Sequence, residues 1–444
     1  MSHSGPKIAM VGGGSYNWSP RLLSDLMRTP EMEGSHIVLL DPNLRAAEEI
    51  AAAARAMAAS LGVQYTIEIT ADEAAAFTGA DFALITISTG GLDAMSYDLA
   101  IPEKYGIYHT VGDSVGPGGW SRALRNTPVF MHLGQEIARR SPRAVILNYT
   151  NPMALLTATL TEVCDLRTVG LCHGVFGTYR VLERLFGVEE KDLAVNFGGV
   201  NHFFWLLDFA VKGQPGYPLL ADLLGDRDLD EALALGDTDA AGFHSHHALA
   251  SELYKEYGYL TYAGDRHTSE FFPGYLTPTP EALDRFHLVR TSIADRREGY
   301  VRARQRALDL AAGKAEPFPR SRETAVDIMM AMSAGKPFVD VVNLPNTGQI
   351  ENLPSGAVVE TLGLVDALGF RPVAVGPLPP ILRQMVEPHC HVQMLTLEAA
   401  MTGDVSMALE ALMMDPLCAH LAPSQVRAMG LELMAATKRW LPQF

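Results

Sequence analysis

Short apolar runs alternate with longer stretches of helical spacing through the N-terminal part of the chain. KIAMVGGGSYNW (7–18) opens with a strand, IAMV. SHIVLLD (35–41), YTIEIT (65–70), DFALITI (81–87), RAVILNYTNP (143–152) and TVGLCHG (168–174) read as further strands. Between them, PRLLSDLMRT (20–29) and the alanine-rich LRAAEEIAAAARAMAASLG (44–62) read as helices, the second stopped by a glycine. Strands alternating with helices predict a parallel, doubly wound sheet of the Rossmann type. From about residue 190 the pattern changes. AVNFGGVNHFFWLLDFAV (194–211) predicts long strands with glycine bends, and a polar, acidic insert follows. From PLPPILRQMVEPHCHV onward the chain reads as helical and rich in methionine, as expected of helix core rather than of a metal-binding run. The expectation is an α/β fold in two parts: residues 1–190 as the doubly wound domain, and 191–444 as a mixed α+β domain for substrate and oligomer contacts.

Composition narrows the class. Hydrophobic residues make up 48% and charged residues 19% of 444, which suits a packed soluble chain with an ample core. No run reaches the roughly 18 apolar residues that span a bilayer, and the start, MSHSGPKIAMVGGG, does not read as a secretory signal. The four cysteines, Cys164, Cys172, Cys390 and Cys418, lack framework spacing, which points to a reducing, cytoplasmic compartment. A net charge of −16 argues against nucleic acid or an anionic membrane as partner. A few local arginines could still hold a small anion.

The first strand runs into Gly12-Gly13-Gly14 and then a helix, and the second strand ends in Asp41. That arrangement binds dinucleotides. Glycine lets the backbone approach a pyrophosphate, and the helix N-terminus offers N–H groups and a positive dipole end. Asp41 would accept hydrogen bonds from the adenosine ribose, favouring NAD over its 2′-phosphorylated form. The third glycine of the motif is missing, with Asn17 in its place, so a turn that only packs a helix on a sheet stays open. ITISTGG (85–91) lies at a strand C-terminus, where a cofactor would rest.

Polar residues and glycines follow apolar strands in HTVGDSVGPGGWSRALRNTP (109–128), NYTNPM (148–153), GLCHGVFGT (170–178), GVNHFFW (199–205) and YAGDRHTSEFFP (262–273). A thiolate from Cys172 and an imidazole from His202 could together hold a divalent metal and leave positions open for substrate oxygens. Taken alone, Cys172 reads equally as a buried small hydrophobe. FHSHH (243–247) reads as a loop.

The motifs GxGS…D, GPGG-x-x-RALR-x-x-P, NYTNPM, GLCH-x-V-x-GT, GVNH-x-x-W and NLPNTGQIENLP occur in that order. In this the chain resembles glycoside hydrolase family 4, or a close sister family, whose members are NAD- and divalent-metal-dependent glycosidases. The pair of catalytic carboxylates usual in glycoside hydrolysis does not operate in that family. The resemblance implies NAD on Gly12, Gly14, Ser15 and Asp41. It implies Mn²⁺, or another divalent metal, on Cys172 and His202, and sugar hydroxyls on Asn151. His173 stands where relatives with a CDMP motif carry an acid for the leaving group. Asp265 stands where relatives carry the base for the sugar C2 proton; its alternative is an ion pair with Arg266. The implied chemistry is redox-neutral: oxidation at C3, proton loss at C2, elimination at C1, then water addition and hydride return.

The Cys-His pair looks like the subgroups that act on non-phosphorylated α-sugars. Gly174 and GDRHTSEFFP lean towards an anionic C6 group, as in an α-galacturonide, α-glucuronide or sulfoquinovoside. Arg122, Arg125, Arg266 and Arg290 are candidates to bind it, although Arg122 and Arg125 could equally salt-bridge along a helix. An α-galactosidase or α-glucosidase of the same family, a plain NAD-dependent hydroxyacid dehydrogenase and a non-catalytic NAD sensor remain alternatives. The resemblance also implies a homodimer or homotetramer.

Overall fold

The computed structural model describes residues 5–234 and 246–444; His244 of FHSHH lies outside them. Six N-terminal strands run parallel: β1 (Lys7–Val11), β2 (His36–Leu40), β3 (Thr66–Thr70), β4 (Phe82–Ile85), β5 (Val145–Asn148) and β6 (Arg167–Gly170). Their order across the sheet is β3-β2-β1-β4-β5-β6, the Rossmann order expected from the alternation of strands and helices. The strand order reverses between β1 and β4, and a ligand crevice opens beyond their C-terminal ends.

These strands read as continuous apolar runs because both faces are covered. Alternate residues enter separate cores. Ile8, Met10, Ile37, Leu39, Phe82 and Leu84 pack on one side with the helix Leu44–Leu61. Ala9, Val11, Val38, Leu40, Ala83 and Ile85 pack on the other with the helix Gly116–Arg140.

The remaining strands are β7 (Leu193–Val200), β8 (Phe203–Val211), β9 (Gln214–Pro215), β10 (Leu260–Thr261), β11 (Phe338–Pro345), β12 (Val358–Asp366) and β13 (Gly369–Pro372). They extend the same sheet from β6 in the order β11-β12-β7-β8-β10, all antiparallel. The change of pattern near residue 190 is where parallel pairing gives way to antiparallel pairing. Asn343 of β11 pairs with Gly170 of β6, so the strand that leads to Cys172 is flanked by both halves of the chain.

The C-terminal helices Pro380–Thr402, Val405–Met413 and Pro423–Thr437 close over the helix Gly116–Arg140. Trp120 Nε1 donates to the Ala408 carbonyl at 2.7 Å, and Met429 and Met434 are buried in the shared core. Among the described residues, no helix is long and apolar enough to cross a membrane.

Candidate active site

β1 ends in Gly12 with φ +82°, a backbone that side chains rarely adopt. A Cβ there would lie 2.5 Å from the Thr86 carbonyl oxygen, so glycine lets the turn close on the end of β4. A Cβ on Gly14 would lie 2.9 Å from Asp41 Oδ2. Instead the Gly14 N–H donates to that oxygen at 3.0 Å, and Asn43 N–H donates to Oδ1 at 2.8 Å. Asp41 is thereby aimed across the turn. Gly12, Gly14, Ser15 and Asp41 line one cavity of 490 Å³ together with Thr86, Ile87 and Ser88. This glycine turn, too tight for side chains and opening on a cavity beside an oriented carboxylate, fits a dinucleotide.

A second cavity, of 660 Å³, shares Ser15, Thr86, Ile87, Ser88 and Tyr300 with the first, so the two form one trough along the strand ends. Besides Ser15, four of the expected residues line it: Arg122, Asn151, His173 and His202. Arg122 Nε donates to the Asn151 carbonyl at 2.9 Å, and Asn151 Oδ1 is buried with no hydrogen-bond partner among the described residues.

Asp113, His202 and His267 also line this cavity, and their ligand atoms lie within 4.8 Å of one another. A carboxylate with two imidazoles suits a divalent cation. His202 sits in the turn between β7 and β8 with φ +66°, a strained conformation for a buried non-glycine residue. Its ring stacks on His267 at 3.8 Å between centroids. Ser114 Oγ lies 2.8 Å from Asp113 Oδ1 and 2.9 Å from His202 Nδ1. With the single hydroxyl proton given to Asp113, Ser114 accepts from Nδ1–H, and His202 Nε2 keeps its lone pair for a metal. Burial alone would raise the Asp113 carboxyl, but His267, Arg122, His202 and Arg296 together hold it well below the usual carboxylate range. The loop carrying Asp113 is anchored by buried Glu270, whose Oε1 accepts from Val111 N–H at 3.0 Å and Gly112 N–H at 2.8 Å.

The family models of the family 4 glycosyl hydrolases and of their C-terminal domain match residues 7–188 and 197–418. The chain belongs to the family 4 glycosyl hydrolases. An alpha-galacturonidase of Lachnoclostridium phytofermentans is 33% identical over 98% of this chain and 97% of its own length. A crystal structure of a putative glucosidase, lplD from Bacillus subtilis, superposes with TM-score 0.88 at 30% identity, covering 97% of this chain and 99% of that one. A 6-phospho-alpha-glucosidase from gut microorganisms, solved in complex with NAD and Mn²⁺, shares the fold with TM-score 0.82 at 22% identity over 99% of both chains.

In this family 4 enzyme, Cys172 is not one of the three clustered ligand residues. It follows β6, and its Sγ accepts the Gly174 N–H at 3.3 Å. Burial, and next the Glu360 carboxyl, hold its thiol above the usual range. Asp265 and Arg266 do not reach the cavity. Asp265 accepts the N–H groups of Leu249 at 2.7 Å and Ala250 at 3.2 Å, at the start of the helix Ala248–Tyr257. Arg266 donates to Thr291 and to the Thr110 carbonyl, which ties the loop before Asp113. From the same stretch it is Tyr262, with His267, that lines the cavity. Its ring lies against Gly174 and Gly264, where a Cβ would come within 2.3 Å of ring carbons. Gly174 is therefore the residue that makes room for Tyr262. Of the other arginines, Arg125 is bound to Asp98, and Arg290 pairs with Glu103 at 2.7 Å. His246 pairs with Asp230 rather than entering the cavity.

Asp113, Tyr262 and His267 lie in stretches read from the sequence as polar, and Arg296 in one to which the sequence assigned no element, but nothing in their spacing singled them out. Behind them, Glu360 of β12 is fully buried and accepts from Asn201 Nδ2 at 3.0 Å and Asn343 Nδ2 at 2.9 Å. Burial pushes its carboxyl from the usual 4.5 up to about 7, against the two amide donors. Between those pH values the folded chain holds a proton that the unfolded chain has released, so stability falls as pH rises. For the metal-free chain we expect a loss of about 3 kcal/mol across that window from this group. Glu360→Gln should flatten that slope in denaturation series run from about pH 4.5 to 7.5. An unchanged slope would show that Glu360 titrates normally.

Proposed function

We propose that this family 4 enzyme is an NAD- and divalent-cation-dependent α-galacturonidase. The observation that carries the sugar assignment is Arg296, on the helix Ile293–Ala311. Its side chain lines the cavity with Arg122, Asn151 and the Asp113–His202–His267 trio. Its Nη2 donates to the Val111 carbonyl at 3.1 Å, while its buried Nε has no hydrogen-bond partner among the described residues. A buried donor without an acceptor is costly, and a sugar carboxylate would satisfy it with a charge-assisted bond. The 33% identity to an alpha-galacturonidase over nearly the whole chain supports the same sugar.

NAD would run along the trough, with its pyrophosphate on the glycine turn and its adenosine ribose at Asp41. A dinucleotide held there would supply hydride removal and return, and a cation held by the trio would supply positive charge to the sugar's C2 and C3 oxygens. The chain's own groups orient and move protons. Asp113, His202 and His267 hold the cation, with Cys172 as the further ligand that the family pattern implies. Asn151 receives the ring hydroxyls. Tyr262 takes the base role at C2, because Asp265 is occupied at a helix start. His173, at the cavity edge, donates to the departing oxygen; its Nδ1 lies 3.4 Å from Glu323 Oε1, which holds the ring in place.

The test is p-nitrophenol release from a panel of α-glycosides with NAD⁺, Mn²⁺ and a thiol reductant, with NADH absorbance followed in parallel. We expect the α-galacturonide to be preferred at least tenfold over the α-galactoside, with NADH flat. Arg296→Gln should raise KM for the galacturonide about 30-fold, or about 2 kcal/mol, more than for the galactoside. Preference for the neutral sugar would refute the galacturonide assignment, and NADH accumulation without release would mark a dehydrogenase.

A further inference from the structure

The helix Ile293–Ala311 comes from the second half of the chain, yet it lies along the nucleotide-binding half. Ala307 and Leu310 are buried in the core that also takes the helix Leu44–Leu61. Arg304 fastens it there: Nε and Nη2 donate to the Glu49 carboxylate at 2.8 and 2.6 Å. The Tyr16 hydroxyl donates to the same carboxylate at 2.7 Å. Arg296, Tyr300 and Arg304 follow one another at four-residue intervals and so share one face of the helix. That face meets the sugar cavity at Arg296 and the Glu49 clamp at Arg304, with Tyr300 between them.

Tyr300 lines both cavities of the trough. The other residues common to the two, Ser15, Thr86, Ile87 and Ser88, follow the ends of β1 and β4 and form the floor. Among the described residues, Tyr300 is the one shared residue that comes from another element. A molecule running from the glycine turn to the sugar passes between its ring and that floor. The ring stands edge-on against buried Tyr16, with centroids 5.3 Å apart and planes at 85°. The residue is still 45% exposed. A ring fixed on one side by a packed neighbour and uncovered on the other is a preorganised contact surface. We infer that Tyr300 is a cofactor-binding residue whose ring covers the waist of the trough. It contacts NAD beyond the adenosine, between the pyrophosphate and the nicotinamide, while the adenosine end is held separately at Asp41. The inference rests on NAD lying along the trough in that direction.

The test measures binding of NAD⁺ and of AMP to the full chain by calorimetry, with no glycoside present. Tyr300→Ala should weaken NAD⁺ about tenfold or more and leave AMP within about twofold, because AMP reaches only the adenosine end. Retained AMP binding also reports an intact fold. Tyr300→Phe keeps the ring and should hold NAD⁺ within about threefold of wild type. Asp41→Ala, at the other end, should weaken both ligands. Unchanged NAD⁺ affinity in Tyr300→Ala would overturn the assignment. So would an equal loss for AMP and NAD⁺, which is what a purely structural role in shaping the glycine turn predicts. A Tyr300→Phe variant as weak as Tyr300→Ala would overturn the ring as the contact. If Asp41→Ala spares both ligands, the cofactor takes another course and the Tyr300 assignment falls with it.

Discussion

His202→Ala is expected to lower glycoside cleavage by about a thousandfold or more and to abolish tight binding of Mn²⁺. His202 is the one residue common to the Cys172–His202 pair of the family pattern and to the Asp113–His202–His267 cluster. Losing a partner behind a metal ligand typically costs ten- to a hundredfold, so losing the ligand itself costs more. The glycine turn is distant from this change, and NAD affinity, followed by fluorescence titration, should stay within a fewfold of wild type. Companion variants separate the two ligand sets. If His267→Ala and Asp113→Asn weaken Mn²⁺ as strongly as His202→Ala does while Cys172→Ser does not, the cluster is the site. The opposite pattern assigns it to Cys172 and His202. The pH dependence gives an independent readout. Burial keeps the Cys172 thiol protonated in the metal-free chain, so coordination by sulfur must release a proton, and Mn²⁺ affinity would rise steeply with pH. Retained Mn²⁺ binding in His202→Ala would remove both assignments together.

Asp98→Ala should produce the largest loss of stability, about 3–5 kcal/mol. Arg125 Nη1 donates to Asp98 Oδ1 at 2.9 Å and Nη2 to Oδ2 at 2.5 Å, and both side chains are fully buried. Removing the carboxylate leaves a guanidinium in the core with, among the described residues, only the Thr89 carbonyl, at 2.9 Å, and the Ser121 hydroxyl, at 3.3 Å, as acceptors. The pair joins the helices Gly91–Glu103 and Gly116–Arg140, and the second of these carries Arg122 into the catalytic cavity. Denaturant midpoints of Asp98→Ala and of Asp98→Leu/Arg125→Met measure the effect. The double variant should recover a large part of the loss, because it removes both charges rather than stranding one. A midpoint for Asp98→Ala close to wild type would show that water or another acceptor replaces the carboxylate.

The RALR stretch illustrates how far sequence reading reaches. Arg122 and Arg125 are three positions apart on one helix and look equivalent in the sequence. One faces the trough and the other is buried against Asp98, because the helix lies between the catalytic cavity and the helix Gly91–Glu103. Asp265 gives a similar lesson. Its stretch is near the cavity, but the carboxylate meets the start of the helix Ala248–Tyr257, which is adjacent only in space. Tyr262, three residues earlier, reaches the cavity because Gly174 and Gly264 leave room for its ring.

Features that depend on local chemistry are legible along the chain. Apolar runs buried on both faces dictated the parallel sheet, the glycine turn with Asp41 marked the dinucleotide end, and the ordered motifs identified the family. Tertiary structure alone decided what depends on distance between segments far apart in the chain. It brought Asp113, His202 and His267 together from a loop, a strand turn and a helical turn far apart in the chain, and placed Arg296 beside Arg122. Ligand spacing within one helix or hairpin leaves a sequence signature. Ligands gathered by the folding of a sheet across hundreds of residues leave none, because their separation is set by strand order and loop anchoring rather than by the number of residues between them.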